Sequence, residues 1–395
     1  MENIKKVKTA IVGCGMISNI YIKNLKDLFS IIELVAVCDR NPDLAEDKSA
    51  TYGVGRTMTM DEIATSEEIE LVVNLTPPAA HYDVIKKMLL AGKHVFTEKM
   101  FTTELNQARE LVKIADEKNL YLGVAPDTIL GAGIQTARKL IEAGMIGNVV
   151  SCVASINRNQ ARNSELMHFL RSNGGAVPYD VGIYYIAALL CLMGPIKAVT
   201  GFGASGLEHK IEFLRMGQYG DSWQIPGNNV MAGALQFENG ALGTVHFNGN
   251  TISQEKNILI IYGTEGILEL GDPNIFGGEV KLILPETGEC IIPYTHGYDG
   301  KPQLPNPTQF DFMYGNRGIG VAEMAWAIRK KRQNRCNKEL GLHTMEVLCG
   351  LDESAKTGTV IYMESRFSCK PLKSGFPSTM MNGAVPADSE RSLID

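Results

Sequence analysis

The sequence predicts an α/β protein: a doubly wound parallel sheet at the N-terminus, then an α+β domain with a large, open, mainly antiparallel sheet. Three observations predict it. Short apolar runs alternate with helix-like segments up to about residue 125, a glycine turn joins the first run to the first helix, and after Pro126 the strands are punctuated by Asn-Gly and Gly. Alternating strands and helices build parallel sheets covered on both faces, whereas strands separated by turn residues build hairpins. A chain of 395 residues also exceeds one ordinary core. The expected divisions are 1–126, 127–369 and a Pro, Gly and Ser-rich tail over 370–395.

Taken in order, Lys8 to Val12 reads as the first strand and runs into Gly13-Cys14-Gly15-Met16-Ile17-Ser18. Gly13 permits the tight bend, Gly15 lets the backbone approach a pyrophosphate, and the N–H groups after Met16 and Ile17 face the anion. Val35 to Cys38 reads as the second strand, with Asp39 at its carboxyl end. A carboxylate there accepts hydrogen bonds from a ribose diol and repels a 2′-phosphate, which favours NAD(H) over NADP(H). Arg40 beside it pulls the other way. Leu71–Leu75, His94–Thr97 and Tyr121–Val124 are the later strands of this half, with helices over 81–91 and 103–118 between them. Ligands sit at the carboxyl ends of such strands. The loops that matter are therefore 13–18, Asp39-Arg40, Thr76-Pro77-Pro78 and Glu98-Lys99-Met100.

Beyond Pro126 a helix over 133–143, a strand over 149–156 and a buried helix over 180–192 are expected. The runs 230–237, 243–248, 257–262, 267–270 and 280–284 then read as antiparallel strands joined by Glu238-Asn239-Gly240 and Gly263-Thr264-Glu265-Gly266. Two later helices, 320–331 and 340–357, are expected to pack back across the junction.

Hydrophobic residues make up 45% and charged residues 21%, with a net charge of −6, which offers no basic footprint for nucleic acid or an anionic membrane. The basic run Arg329-Lys330-Lys331-Arg332 complements a helix C-terminus. The apolar stretch 183–193 is too short to span a bilayer, and Met-Glu-Asn-Ile-Lys-Lys has no signal-peptide pattern. Eight scattered cysteines without a C-x-x-C pair read as reduced thiols of a cytoplasmic protein, and the seven histidines lack metal-ligand spacing, so no metal is expected.

Two further stretches carry chemistry. Lys99 falls where a parallel strand delivers residues to the cofactor cleft, and there it can hydrogen-bond a reacting hydroxyl. For an isolated lysine, a solvated surface charge is the plainer reading. Asp180 and Tyr184, four apart in the run Gly174 to Tyr185, share a helix face. The pair suits a proton relay, and it equally suits a capping Asp with a core Tyr. Asp127, Asn157, Arg158, His168 and Arg171 are candidates to face a substrate, and His168 is a second candidate acid–base group. A satisfied structural role is the plainer reading of a lone His.

From Lys8 to about Cys369 the chain resembles the Gfo/Idh/MocA family of sugar oxidoreductases. Ala91 to Lys99 matches the family's AGKHVxxEKP, Thr76-Pro77 with His81 matches TPxxxH, and Gly174 to Tyr184 matches GGGxLxDxGxH. The resemblance implies a Rossmann domain, a C-terminal sheet that makes a homo-oligomer interface, and hydride exchange between a sugar carbon and NAD(P). It places Thr76, Pro77, His81, Glu98 and Lys99 at the cofactor, and Lys99, Asp180 and Tyr184 in catalysis. Tyr184 stands where most members carry histidine, a replacement also seen in members resembling glucose–fructose oxidoreductase. Met100 replaces the family proline, which puts the family's cis peptide in question because such bonds cost roughly 2.5–4 kcal/mol before other residues. Ala125 to Thr128, Gln135 to Arg138, Asp272-Pro273-Asn274 and Asn316-Arg317-Gly318 are similar to a bacterial subgroup acting on sugars and glycosides, including enzymes that oxidise C3 of a glucosyl unit. The function implied is oxidation of a secondary hydroxyl. The alternatives are a sugar–keto-sugar oxidoreductase with retained NAD(H), and a nucleotide-sensing regulator on the same fold.

Overall fold

The structure is a computed structural model and describes residues 5–205, 212–213, 218–219, 225–251, 257–299, 317–368 and 370–372. Asn316 and most of the expected tail lie outside the described residues.

The first sheet has six parallel strands: β1 (Val7–Val12), β2 (Ile32–Cys38), β3 (Arg56–Thr57), β4 (Leu71–Asn74), β5 (His94–Thr97) and β6 (Leu122–Val124), in the order β3-β2-β1-β4-β5-β6. Between them run α1 (Ser18–Asp27), α2 (Pro42–Tyr52), α3 (Met60–Thr65), α4 (Pro78–Leu90) and α5 (Leu105–Glu117). Burial on both faces explains why β4 is a continuous run with every residue buried. The strand order reverses between β1 and β4, so the crevice above their carboxyl ends is the natural ligand position. The two-residue edge strand β3 carries no apolar signal, since both its residues are exposed. The sequence pattern therefore does not reveal it.

The second sheet comprises β7 (Val149–Asn157), β8 (Ile196–Ser205), β11 (Asn228–Phe237), β12 (Leu242–Asn248), β13 (Ile258–Gly263), β14 (Ile267–Leu270), β15 (Val280–Leu284), β16 (Gly288–Ile291) and β17 (Ile361–Tyr362); β9 (Glu212–Phe213) and β10 (Gln218–Tyr219) form a separate two-stranded sheet. The order is β16-β15-β14-β13-β7-β12-β11-β8-β17. Every pairing is antiparallel except that of β7 with β12. The hairpin turns fall where their glycines predict, with Gly240 at φ +90° between β11 and β12.

The remaining helices are α6 (Ala132–Glu142), α7 (Gln160–Leu166), α8 (Ile183–Met193), α9 (Ile319–Lys330) and α10 (Lys338–Thr357). Helix α8 is apolar all round because every one of its residues is buried. The expected helix start at Asp180 is instead a π-helical turn, Pro178–Gly182, ahead of α8. Helix α10 joins the two sheets, packing on β8, α5 and β6. Its Gly341 lies so close to Val124 that a Cβ would stand 2.7 Å from that side chain. Among the described residues no helix is long and apolar enough to cross a membrane.

Candidate active site

The turn after β1 is built by backbone constraints. Gly13 adopts φ +104°, and a Cβ there would stand 2.6 Å from the Leu75 carbonyl carbon, so only glycine fits between β1 and the loop after β4. Gly15 has open space where a Cβ would project. The Ser18 hydroxyl donates to the Gly15 carbonyl at 2.6 Å. Helix α1 follows the N-cap residue Ile17, with no side-chain cap and no acidic residue in its first turn. The Ser18 and Asn19 N–H groups close the turn onto the Gly15 and Met16 carbonyls at 3.1 and 3.4 Å, and no acidic side chain of the first turn competes with a pyrophosphate at this positive helix end. Met16 is exposed beside them. At the end of β2, Asp39 accepts from the Cys14 N–H at 2.7 Å and the Asn41 N–H at 2.9 Å, while Arg40 is exposed. Across the crevice the Thr76 hydroxyl donates to Asn74 Oδ1 at 2.7 Å, and Pro77 caps α4. The helix start without an acidic side chain, the gap at Gly15 and the carboxylate ending β2 fit a dinucleotide.

The chemistry gathers at the end of β5. Glu98 is buried; one oxygen accepts from Tyr21 of α1 at 2.7 Å and the other from the Lys99 N–H at 3.0 Å. The Lys99–Met100 peptide is cis, so methionine occupies the position with the geometry its family counterpart would have. Lys99 Nζ donates to Asp180 Oδ1 at 2.5 Å and to the Asp180 carbonyl at 2.8 Å. The other carboxylate oxygen accepts from Gln160 Nε2 at 3.1 Å and lies 3.7 Å from Arg158 Nη1. Burial pushes the Asp180 carboxyl upward, but the Lys99 and Arg158 charges and the hydrogen bonds from Lys99 and Gln160 outweigh it and hold it below its ordinary value. Burial likewise disfavours the Lys99 ammonium, and the Asp180 charge overrides it and holds Lys99 above the ordinary lysine range. The pair is ionised at neutral pH.

Tyr184 joins this pair through Lys99, whose Nζ lies 5.6 Å from the centre of its ring. The phenol oxygen accepts from Arg317 Nη2 at 3.2 Å. Lys99 thus stands between the Asp180 carboxylate and the Tyr184 ring.

The other residues separate by direction. Arg158 reaches the cluster, and Asn157 ends β7 half-buried, with its N–H donating to Asn257 at 3.0 Å. Asp127 turns inward: fully buried, it accepts from the Gly318 and Gly320 N–H groups at 2.9 and 3.2 Å and so caps α9. His81 is also fully buried, one ring nitrogen 2.6 Å from the Met100 carbonyl and the other 2.7 Å from that of Thr76. It ties the Thr76 loop to the cis peptide without reaching the crevice. His168 and Arg171 lie exposed on a 3-10 turn, and the His168 ring is 3.1 Å from the Glu165 carbonyl. Among the described residues no cluster could hold a metal. Gln160 is a neighbour of the cluster that sequence reasoning did not single out, and Asn274 and Arg317 fall in stretches that carried the resemblance without a role being given to either. A glutamine after a strand carries no local mark, and Arg317 meets Tyr184 only through the tertiary fold.

A profile of the oxidoreductase family with an NAD-binding Rossmann fold matches residues 7–125, and that of the GFO/IDH/MocA C-terminal domain matches residues 134–269. An uncharacterized oxidoreductase of Schizosaccharomyces pombe is 34% identical over 197 residues, covering 49% of this chain and 53% of the relative. The scyllo-inositol 2-dehydrogenase (NADP(+)) IolW of Bacillus subtilis is 27% identical over 200 residues, covering 50% of this chain and 55% of the relative. The chain thus spans about half the length of these relatives. A structure of levoglucosan dehydrogenase in complex with NADH and levoglucosan superposes with a TM-score of 0.76 at 18% identity, covering 91% of this chain and 100% of the other. With both family profiles matched in sequence order, the chain belongs to the Gfo/Idh/MocA oxidoreductase family.

Proposed function

We propose that this protein oxidises a secondary hydroxyl of a sugar or glycoside, at C3 of a glucosyl unit, with NAD(H) as cofactor. The observation that carries the reading is the pair of Lys99 with buried Asp180, 2.5 Å apart, at the carboxyl end of β5 in the sheet whose β1 turn fits a dinucleotide. A bound nicotinamide supplies the hydride acceptor. Lys99 Nζ, kept protonated by Asp180, donates a hydrogen bond to the reacting oxygen and stabilises the negative charge that grows there. Asp180 fixes the direction of that ammonium, and Gln160 and Arg158 fix Asp180. Tyr184 Oη exchanges the hydroxyl proton, which leaves as the carbinol becomes a ketone.

Asp39 supports NAD(H) rather than NADP(H), because a 2′-phosphate would meet a carboxylate. The test is initial-rate oxidation of a panel of glucosides with each cofactor. Turnover with NAD+ on at least one glucoside is expected, with lower kcat/KM for NADP+. Asp39→Ser should lose about tenfold or more in kcat/KM for NAD+, since hydrogen bonds to charged groups contribute about 1.5–3 kcal/mol, and should narrow the gap to NADP+. No turnover with either cofactor across the panel would refute the reading.

The same proposal includes self-association through the second sheet. By register Phe202, Leu242, Ile258 and Tyr362 lie on the face opposite α10, and Phe202 is 82% exposed. An apolar sheet face of this kind is suited to an identical copy. Sedimentation velocity should find an oligomer.

A further inference from the structure

We infer that Arg317 is the positioning residue of Tyr184: it fixes the phenol oxygen as an acceptor and lowers the cost of its ionised form, so that tyrosine can exchange a proton near neutral pH. The inference rests on the assignment of Tyr184 to proton exchange made above.

Arg317 is 1% exposed and stands one residue before the Gly318 cap of α9. Its Nη2 donates to Tyr184 Oη at 3.2 Å, to Asn274 Oδ1 at 2.9 Å and to the Asn274 carbonyl at 3.2 Å. Its Nη1 lies 3.5 Å from Asp127 Oδ1. The guanidinium carbon is 5.2 Å from the centre of the Tyr184 ring and 5.4 Å from that of Phe276. The Arg317 carbonyl accepts from Asn24 Nδ2 of α1 at 2.8 Å, which anchors the residue to the helix that opens at the dinucleotide turn. The group is thus held on several sides.

A guanidinium has donors and no acceptor, so Tyr184 Oη can only accept from it. The phenol's own hydrogen must point elsewhere. Burial disfavours phenolate at Tyr184, and a cation bonded to the oxygen opposes that cost by stabilising phenolate over phenol. Charged groups in contact with Tyr184 include Arg317 at its oxygen and Lys99 over its ring, and the buried Glu98 carboxylate acts on both of these cations. Asp180 stands behind Lys99, and Asp127 stands behind Arg317. The cations touch the tyrosine and the anions touch the cations, so the nearest charges favour ionisation. Capping α9 is the work of Asp127, and the bond from Arg317 to Tyr184 adds nothing to that cap. A tyrosine in place of the usual histidine has an ordinary pKa of about 10, and this contact supplies the missing acidity.

The test is the pH dependence of kcat on an oxidised glucoside for wild type, Tyr184→Phe, Arg317→Gln and the double variant, with cofactor dissociation constants measured alongside. Tyr184→Phe should abolish the ionisation that limits kcat at low pH. Arg317→Gln should move that ionisation up by about one pH unit or more, a tenfold change in the ionisation constant, and leave cofactor affinity within a few-fold. The double variant should be no slower than Tyr184→Phe. An unshifted ionisation in Arg317→Gln, or additive losses in the double variant, would overturn the inference while leaving Tyr184 in its role. Survival of the ionisation in Tyr184→Phe would remove Tyr184 from proton exchange and the inference with it. Should Arg317→Gln fail to fold, the tyrosinate absorbance difference between wild type and Tyr184→Phe reads the same ionisation directly. A value at or above the ordinary phenol range would then overturn the inference, and one well below it would support it.

Discussion

Lys99→Met is expected to reduce kcat by about a thousandfold, within the range attributed to a positioned acid–base group, while cofactor affinity changes only a few-fold. The methionine keeps most of the side chain's length and apolar contact but cannot hydrogen-bond the reacting oxygen. The turn after β1, the start of α1 and Asp39 are untouched, so the dinucleotide contacts should persist. Steady-state kinetics and a cofactor titration separate the two effects. A purely structural lysine would give the reverse pattern, with lost stability and retained turnover per folded molecule. The same substitution strips Asp180 of its largest counter-charge, leaving Arg158 at 3.7 Å as the remaining cation.

Asp180→Asn should destabilise the protein by about 3–5 kcal/mol at neutral pH, the usual cost of breaking a buried ion pair from one side, and should also stop turnover. Asp180 is 5% exposed, and it faces both Lys99 and Arg158. Without its charge the buried Arg158 and the largely covered Lys99 face a neutral amide. The pH dependence has a definite sign. Against the push of burial, Lys99 and Arg158 hold the folded Asp180 below its ordinary carboxyl value, so its contribution is complete above that value and lost as pH falls through the lower one. Lys99 is held above the ordinary lysine value, so its contribution is complete below that value and lost as pH rises through the higher one. The gap in unfolding free energy between wild type and variant should form a plateau across the neutral range and close in strong acid. Urea unfolding at a series of pH values measures it, and a gap that varies through the neutral range would contradict the assignment.

Backbone demands leave local marks in a sequence, and those marks made the first sheet legible. Gly13 must be glycine because of its positive φ and the nearness of Leu75, and β4 must be apolar throughout because both its faces are covered. Glu98-Lys99 and Asp180 could be placed because strand ends and the turn before α8 deliver them to one cleft. Side-chain direction was less legible. Asp127 and His81 occupy positions beside the crevice, yet each turns into the protein, one to cap a helix and the other to tie two loops. His168, the second acid–base candidate, sits on an exposed turn instead. Arg317 is separated from Tyr184 by 133 positions, and nothing local distinguishes a buried arginine before a helix from an exposed one. The short strand β3 and the π turn at Pro178–Gly182 fall below the length at which periodicity carries a signal.

Hydride transfer from a sugar carbon is the central claim, and isotope transfer tests it most directly. Glucosides carrying a single deuterium at C2, C3 or C4 would be incubated with the protein and NAD+, and the nicotinamide isolated for mass analysis. Reduced nicotinamide carrying deuterium from the C3-labelled glucoside, and unlabelled from the other two, is the expected result. Turnover that leaves the nicotinamide unlabelled from every position would contradict it.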